Sequence, residues 1–97
     1  MTGKQRAYLR SLANSLPALY QAGKGGCESE AFVEQIRQGL EKNELVKITV
    51  LETSELSPRE TANVLCRALG AAAVQVIGRK VVLYRESEKH KTIVLPE

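Results

Sequence analysis

Residues 57 to 70 constrain the architecture most, because they mark both ends of one helix. Ser57-Pro58-Arg59-Glu60 places serine at the N-cap, proline in the first turn and glutamate where a capping box needs it, and Gly70 supplies the left-handed residue that ends the run at Leu69. Ala62, Leu65, Cys66 and Leu69 form its apolar face. This helix lies between two runs with strand character. Leu45 to Val50 is β-branched and nearly all apolar, and so reads as a central strand. Ala72 to Ile77 and Lys80 to Arg85 are strands joined by Gly78-Arg79, a two-residue hairpin signal. A strand, a capped helix and a further strand form a crossover, so the strands on either side run parallel if they share a sheet. That hairpin register sets Val76 against Val81 and Val74 against Leu83, which predicts that these four share one core surface. Gln75, Ile77, Lys80, Val82 and Tyr84 would then make a mixed surface on the other side.

The first half of the chain repeats the alternation. Thr2 can cap a helix from Gly3 to Asn14, with Leu9, Leu12, Ala13 and Leu16 as its apolar stripe and Pro17 as its stop. Arg6 and Arg10 lie four apart on one flank of that stripe, and Lys4 and Tyr8 on the other. Tyr8 can stack on a base or simply pack beside the stripe. Ala18 to Gln21 reads as a short strand. A second helix opens at Glu28 or Ser29 and runs to about Glu41, with Phe32, Val33, Ile36 and Leu40 inward, Glu30, Glu34, Arg37, Glu41 and Lys42 outward, and Asn43 as C-cap. Gly39 inside it predicts a close approach to the sheet. Glu86 to Glu97 carries Lys89, His90 and Lys91, then Ile93-Val94-Leu95-Pro96, which can pair with a sheet edge or pack back as extended chain. The expected fold is α/β, a compact α-β-α-β-α-β-β sandwich with a four-stranded mixed sheet.

Between the first strand and the second helix stands Gly23-Lys24-Gly25-Gly26. Glycines there remove Cβ atoms that would hold a ligand off the backbone and permit the positive φ angles that aim N–H groups at one point. The following helix start and Lys24 add positive charge at that place, which suits a phosphate. The same four residues also suit a plain tight turn. Charge is unevenly spread: residues 1–24 carry +4, residues 25–60 carry −4 and residues 61–97 carry +3. If the two ends of the chain meet, one face is basic and attracts a polyanion; otherwise the charges are only solvated surface.

At 97 residues the chain is read as one domain. No apolar run approaches the roughly 20 residues that span a bilayer, and the polar start from Met1 to Arg10 does not read as a signal peptide, so the expected location is the cytoplasm. Cys27 and Cys66 have no C-x-x-C spacing and are read as free thiols, with no metal or cofactor expected. Cys27 beside a helix start can be an activated nucleophile or an ordinary loop residue. His90 is the lone histidine, no triad spacing is present, and the G-x-x-x-x-G-K-[ST] loop of nucleotide hydrolases is missing, so no enzyme is expected.

Gly23-Lys24-Gly25-Gly26, Glu44-Leu45-Val46-Lys47-Ile48, and Val74-Gln75-Val76-Ile77-Gly78-Arg79 with Leu83-Tyr84-Arg85 together resemble the CRM domain in its stand-alone bacterial YhbY-like form. The likeness runs from Lys4-Gln5-Arg6 to Leu95-Pro96. It implies a fold like the C-terminal domain of translation initiation factor three, and a GxxG loop, Gly23 to Gly26, that contacts RNA backbone as in KH domains. Stand-alone bacterial members are associated with precursors of the large ribosomal subunit, and plant relatives with intron splicing. Cys27-Glu28-Ser29-Glu30 is one residue longer than the common family pattern and puts acids close behind the loop. The reading that follows is a monomeric, non-enzymatic protein that binds ribosomal RNA. Its contacts would be Gly23, Lys24, Gly25 and Gly26 with Lys4, Arg6, Arg10, Arg79, Lys80 and Arg85. The alternative is a protein-interaction module using the acidic second helix or the exposed sheet face.

Overall fold

The computed structural model describes residues 1–25 and 29–97, so the expectations for Gly26, Cys27 and Glu28 fall outside the described residues. Its elements are α1 (Gly3–Ala13), β1 (Tyr20–Ala22), α2 (Glu30–Asn43), β2 (Leu45–Val50), α3 (Pro58–Leu69), β3 (Ala72–Ile77) and β4 (Lys80–Tyr84). The four strands form one sheet in the order β1-β2-β4-β3. β1 and β2 are parallel, and β4 is antiparallel to both β2 and β3. The strands flanking α2 and α3 therefore all point one way, as the crossover argument requires, with β4 inserted between β2 and β3.

Capping side chains set the helix starts. Thr2 accepts from the Gln5 backbone while the Gln5 side chain returns to Thr2, and Ser57 and Glu60 exchange the same pair of bonds. Ser29 opens α2 by accepting from Phe32 N–H. The C-terminus of α2 differs from expectation. Asn43 remains helical, and Glu44 takes the left-handed C-cap position at φ 66°. This conformation costs a non-glycine residue roughly 1–3 kcal/mol. It also turns the carboxylate into the protein, where Glu44 is fully buried.

Apolar residues pack on both faces of the sheet. On one face α2 and α3 bring Ile36, Leu40, Ala62, Leu65 and Leu69 onto Val46, Ile48, Val50, Val81 and Leu83. On the other, α1 brings Leu9 and Ala13 onto Leu45, Val74, Val82 and Tyr84. Val74 thus corrects the simple hairpin register. Ala73, not Val74, pairs with Leu83, and Gln75 pairs with Val82, because a bulge at Val74 inserts one extra residue into β3. The slip moves Val74 to the α1 face beside Val82 and Tyr84, so part of the expected mixed surface is core.

Three elements also differ in their bounds: β1 spans Tyr20–Ala22 rather than 18–21, α1 stops at Ala13 with Asn14 as its cap, and β4 stops at Tyr84. The tail packs back rather than pairing with an edge. Glu44 Oε2 accepts from Ser87 N–H at 2.8 Å, and Oε1 accepts from Thr92 and Ile93 N–H at 2.7 and 2.8 Å. Ile93 and Leu95 pack against the α1 cluster, and Gln5 Nε2 donates to the Pro96 carbonyl at 3.0 Å. Burial by itself pushes the Glu44 carboxyl up. The N–H groups of Ile93, Ser87 and Thr92, with the Thr92 hydroxyl, outweigh it and hold the carboxyl below the ordinary glutamate value.

Candidate nucleic-acid interface

Because β1 and β2 are parallel and in register at Ala22 and Val50, both finish at the same end of the sheet. Leu51 N–H donates to the Ala22 carbonyl at 2.9 Å, which seats the glycine loop against the segment that follows β2. Gly25 adopts φ 69° with nothing around its missing Cβ, a conformation that favours glycine. Gly23 does not require glycine sterically, since a Cβ there would make only ordinary contacts of 3.5 Å with Leu51 and Thr53. Lys24 and Gly25 are exposed in the turn.

The β3–β4 turn arrives at this same end. Arg79 is exposed at the turn, and its guanidinium is tied to backbone carbonyls. Its Nε donates to the Val50 carbonyl at 2.8 Å and its Nη2 to the Leu51 carbonyl at 2.6 Å, so the guanidinium folds over the end of β2. Strand pairing between β2 and β4 ends at Thr49 and Lys80, which leaves those carbonyls open to a side chain. Lys80 Nζ donates to Thr49 Oγ1 at 2.7 Å. Gly23, Lys24, Gly25, Arg79 and Lys80 are therefore gathered at one end of the sheet. Glu52 and Glu55 are exposed in the neighbouring loop, so this end is not uniformly positive.

The sheet face that carries α1 supplies a basic surface without acids among the described residues. Strand alternation puts Lys47 and Thr49 on the same face as Leu45, Lys80 with Val82, and Gln21 opposite Thr49. The α1 cluster covers the half of this face that holds Leu45, Val74, Val82 and Tyr84. Gln21 and Lys80 are exposed on the remaining half, Lys47, Thr49 and Gln75 are half-buried, and Ile77 is 60% exposed. Lys47 was missed by sequence reasoning, which took its segment as a nearly continuous apolar central strand covered on at least one side. The signal was there: polar residues at 47 and 49 alternate with Val46, Ile48 and Val50.

The helix places the remaining bases unequally. Arg6 donates from Nη1 to the Ala73 carbonyl at the bulge, and Arg10, one turn on, is exposed on the same flank of α1. Gln5 binds the tail, so the Arg6–Arg10 flank is the one turned away from it. Lys4 and Tyr8 are exposed on the tail side. Arg85 stands apart, five residues along β4 from Lys80 and so about 17 Å away. Its Nη1 donates to the Leu69 carbonyl at 3.0 Å and its Nη2 lies 3.6 Å from Glu41 Oε2, tying the C-terminal parts of α3 and α2 together. Burial pushes the half-buried Cys66 thiol up, away from nucleophilic chemistry.

Residues 1–85 match the CRS1 / YhbY (CRM) domain. The chain is 41% identical to the Probable RNA-binding protein YqeI of Bacillus subtilis over 96 residues, 99% of each chain. It is 34% identical to a Haemophilus influenzae protein named RNA-binding protein, over 99% of this chain and 95% of that one. The Probable RNA-binding protein MJ0652 of Methanocaldococcus jannaschii is 31% identical over 94% of this chain and 68% of its own length. The solution structure of SAV1595, a candidate RNA-binding protein from Staphylococcus aureus, is similar at a TM-score of 0.81 and 45% identity, over 99% of both chains. The shared architecture and the near full-length matches make this chain a member of the CRS1 / YhbY (CRM) domain family.

Proposed function

We propose that this protein binds RNA without catalysis, holding ribosomal RNA in precursors of the large ribosomal subunit and assisting assembly as a cytoplasmic monomer with no cofactor. The observation that carries the reading is one continuous surface made of the glycine-loop end and the open half-sheet. Lys24, Arg79 and Lys80 cluster at the loop, and Lys47 extends the charge across a face with no carboxylate among its described residues. Arg6 and Arg10 border it along α1. Relatives named as RNA-binding proteins over their full length support the same reading.

In this mechanism the backbone N–H groups at Gly23 and Gly25 and the Lys24 ammonium contact phosphates, while Thr49, Gln75 and Gln21 offer hydrogen bonds to sugar or base edges. Such a surface holds RNA by its backbone and shape. Crosslinking in cells, followed by sequencing of the attached RNA, tests it: reads from large-subunit precursors are expected. Recovery of proteins that survives nuclease treatment, with no ribosomal RNA attached, would favour a protein-interaction module instead.

A further inference from the structure

A recess lies at the other side of the sheet, along the free edge of β3. It has a volume of about 130 Å³ and is lined by Arg6 of α1, Arg59 in the first turn of α3, and Ala73 to Val76 of β3. Among the described residues β3 pairs only with β4, so its outer edge faces no strand. The bond from Arg6 to the Ala73 carbonyl uses one of five guanidinium donors and fixes the side chain at the bulge. Among the described residues no carboxylate lines the recess and neither Arg6 nor Arg59 belongs to an ion pair. Two guanidinium groups brought into one recess without an acid repel each other, and an anion between them removes the repulsion. Their planar forks match the oxygens of a phosphate.

We propose that this recess holds a backbone phosphate of the bound RNA, as a second anchor at the sheet edge opposite the glycine loop. The inference rests on the RNA-binding reading above. β1 and β3 are three strand spacings apart, about 14 Å, so RNA held at both edges crosses the open half-sheet over Lys47 and Lys80. An added strand from another chain is the competing occupant. The bulge at Val74 and the Arg6 bond to Ala73 interrupt the edge that such a strand would pair with.

The test measures affinity against salt for a 30-nucleotide RNA stem-loop with a single-stranded extension, using wild type, Arg59→Gln, Arg59→Lys and Arg67→Gln. Arg59 is exposed, so Arg59→Gln should keep the wild-type urea midpoint. Its slope of log K against log salt should be shallower by about one, with binding weakened several-fold at low salt. Arg59→Lys should keep the slope, and Arg67→Gln should match wild type. In wild-type protein, which needs no variant, the Nε–Hε NMR signals of Arg6 and Arg59 should shift on adding this RNA. If wild type binds with a steep slope but Arg59→Gln is unchanged and those signals stay still, the recess is not a phosphate site and the RNA-binding reading survives. A wild-type protein that does not bind this RNA, or binds it with no salt dependence, overturns both.

Discussion

Replacing Glu44 by glutamine should destabilise the fold by about 2–4 kcal/mol, even though it preserves size. The carboxylate accepts three backbone N–H bonds, two on Oε1 and one on Oε2. Glutamine has one oxygen. If that oxygen keeps Thr92 and Ile93, its NH₂ group faces Ser87 N–H, and two donors are opposed in a buried site. Losing charge assistance on two bonds costs about 1 kcal/mol each, and an unsatisfied buried donor costs about 1–3 kcal/mol. The cheaper desolvation of a neutral amide returns part of this. Urea denaturation reads the effect. With an m-value of about 1–1.5 kcal/mol/M, the midpoint should fall by roughly 2 M. Hydrogen exchange should show protection lost at Ser87, Thr92 and Ile93 before the β2 and β4 amides. A loss below about 0.5 kcal/mol, or tail amides as protected as in wild type, would refute the assignment of Glu44 as the anchor of the tail.

The same anchor makes stability sensitive to acid. Glu44 and Glu41 both have lowered folded pKa values, Glu41 chiefly through the Ser87 hydroxyl and then the Lys89 N–H. Their contributions are therefore complete above the ordinary glutamate range and disappear as pH falls through the lowered folded values. The urea midpoint should drop on acidification, and by less in Glu44→Gln; equal acid sensitivity in the two proteins would contradict this. Gly39→Ala should destabilise by about 1–3 kcal/mol although alanine favours the helix by about 1 kcal/mol, because the new Cβ overlaps the Tyr20 hydroxyl and sits 3.2 Å from Val46 Cγ1. Tyr20→Phe in that background should recover part of the loss; a Gly39→Ala protein with a raised midpoint would exclude the overlap. Lys47→Glu should weaken RNA binding about tenfold at moderate salt while moving stability by less than about 1 kcal/mol. Unchanged affinity in that variant would remove Lys47 from the interface.

Local devices made much of the fold legible in the sequence. The Ser57–Glu60 box, Gly70 and the Gly78-Arg79 turn act over a few residues, and α3, β3 and β4 stand where those signals put them. The resemblance and the comparisons agree on the family. What local pattern could not carry was long-range. Ala72 to Ile77 gives no sign that one extra residue is inserted at Val74, since the bulge depends on how β4 aligns. Glu44 looked like an ordinary acid after a helix, because its partners Ser87, Thr92 and Ile93 are more than forty residues away in sequence. The basic cluster was partly legible: the loop and the hairpin tip were expected to carry it, but the commitment of Arg85 to Glu41 and Leu69 and the openness of Lys47 depend on which half of the sheet α1 covers.

An amide NMR titration with a large-subunit ribosomal RNA fragment tests the central claim most directly. The largest shifts are expected at Gly23, Lys24, Gly25, Lys47, Thr49 and Lys80, with α2 unmoved. Shifts confined to the exposed acidic face of α2, with the glycine loop and the open half-sheet silent, would contradict it.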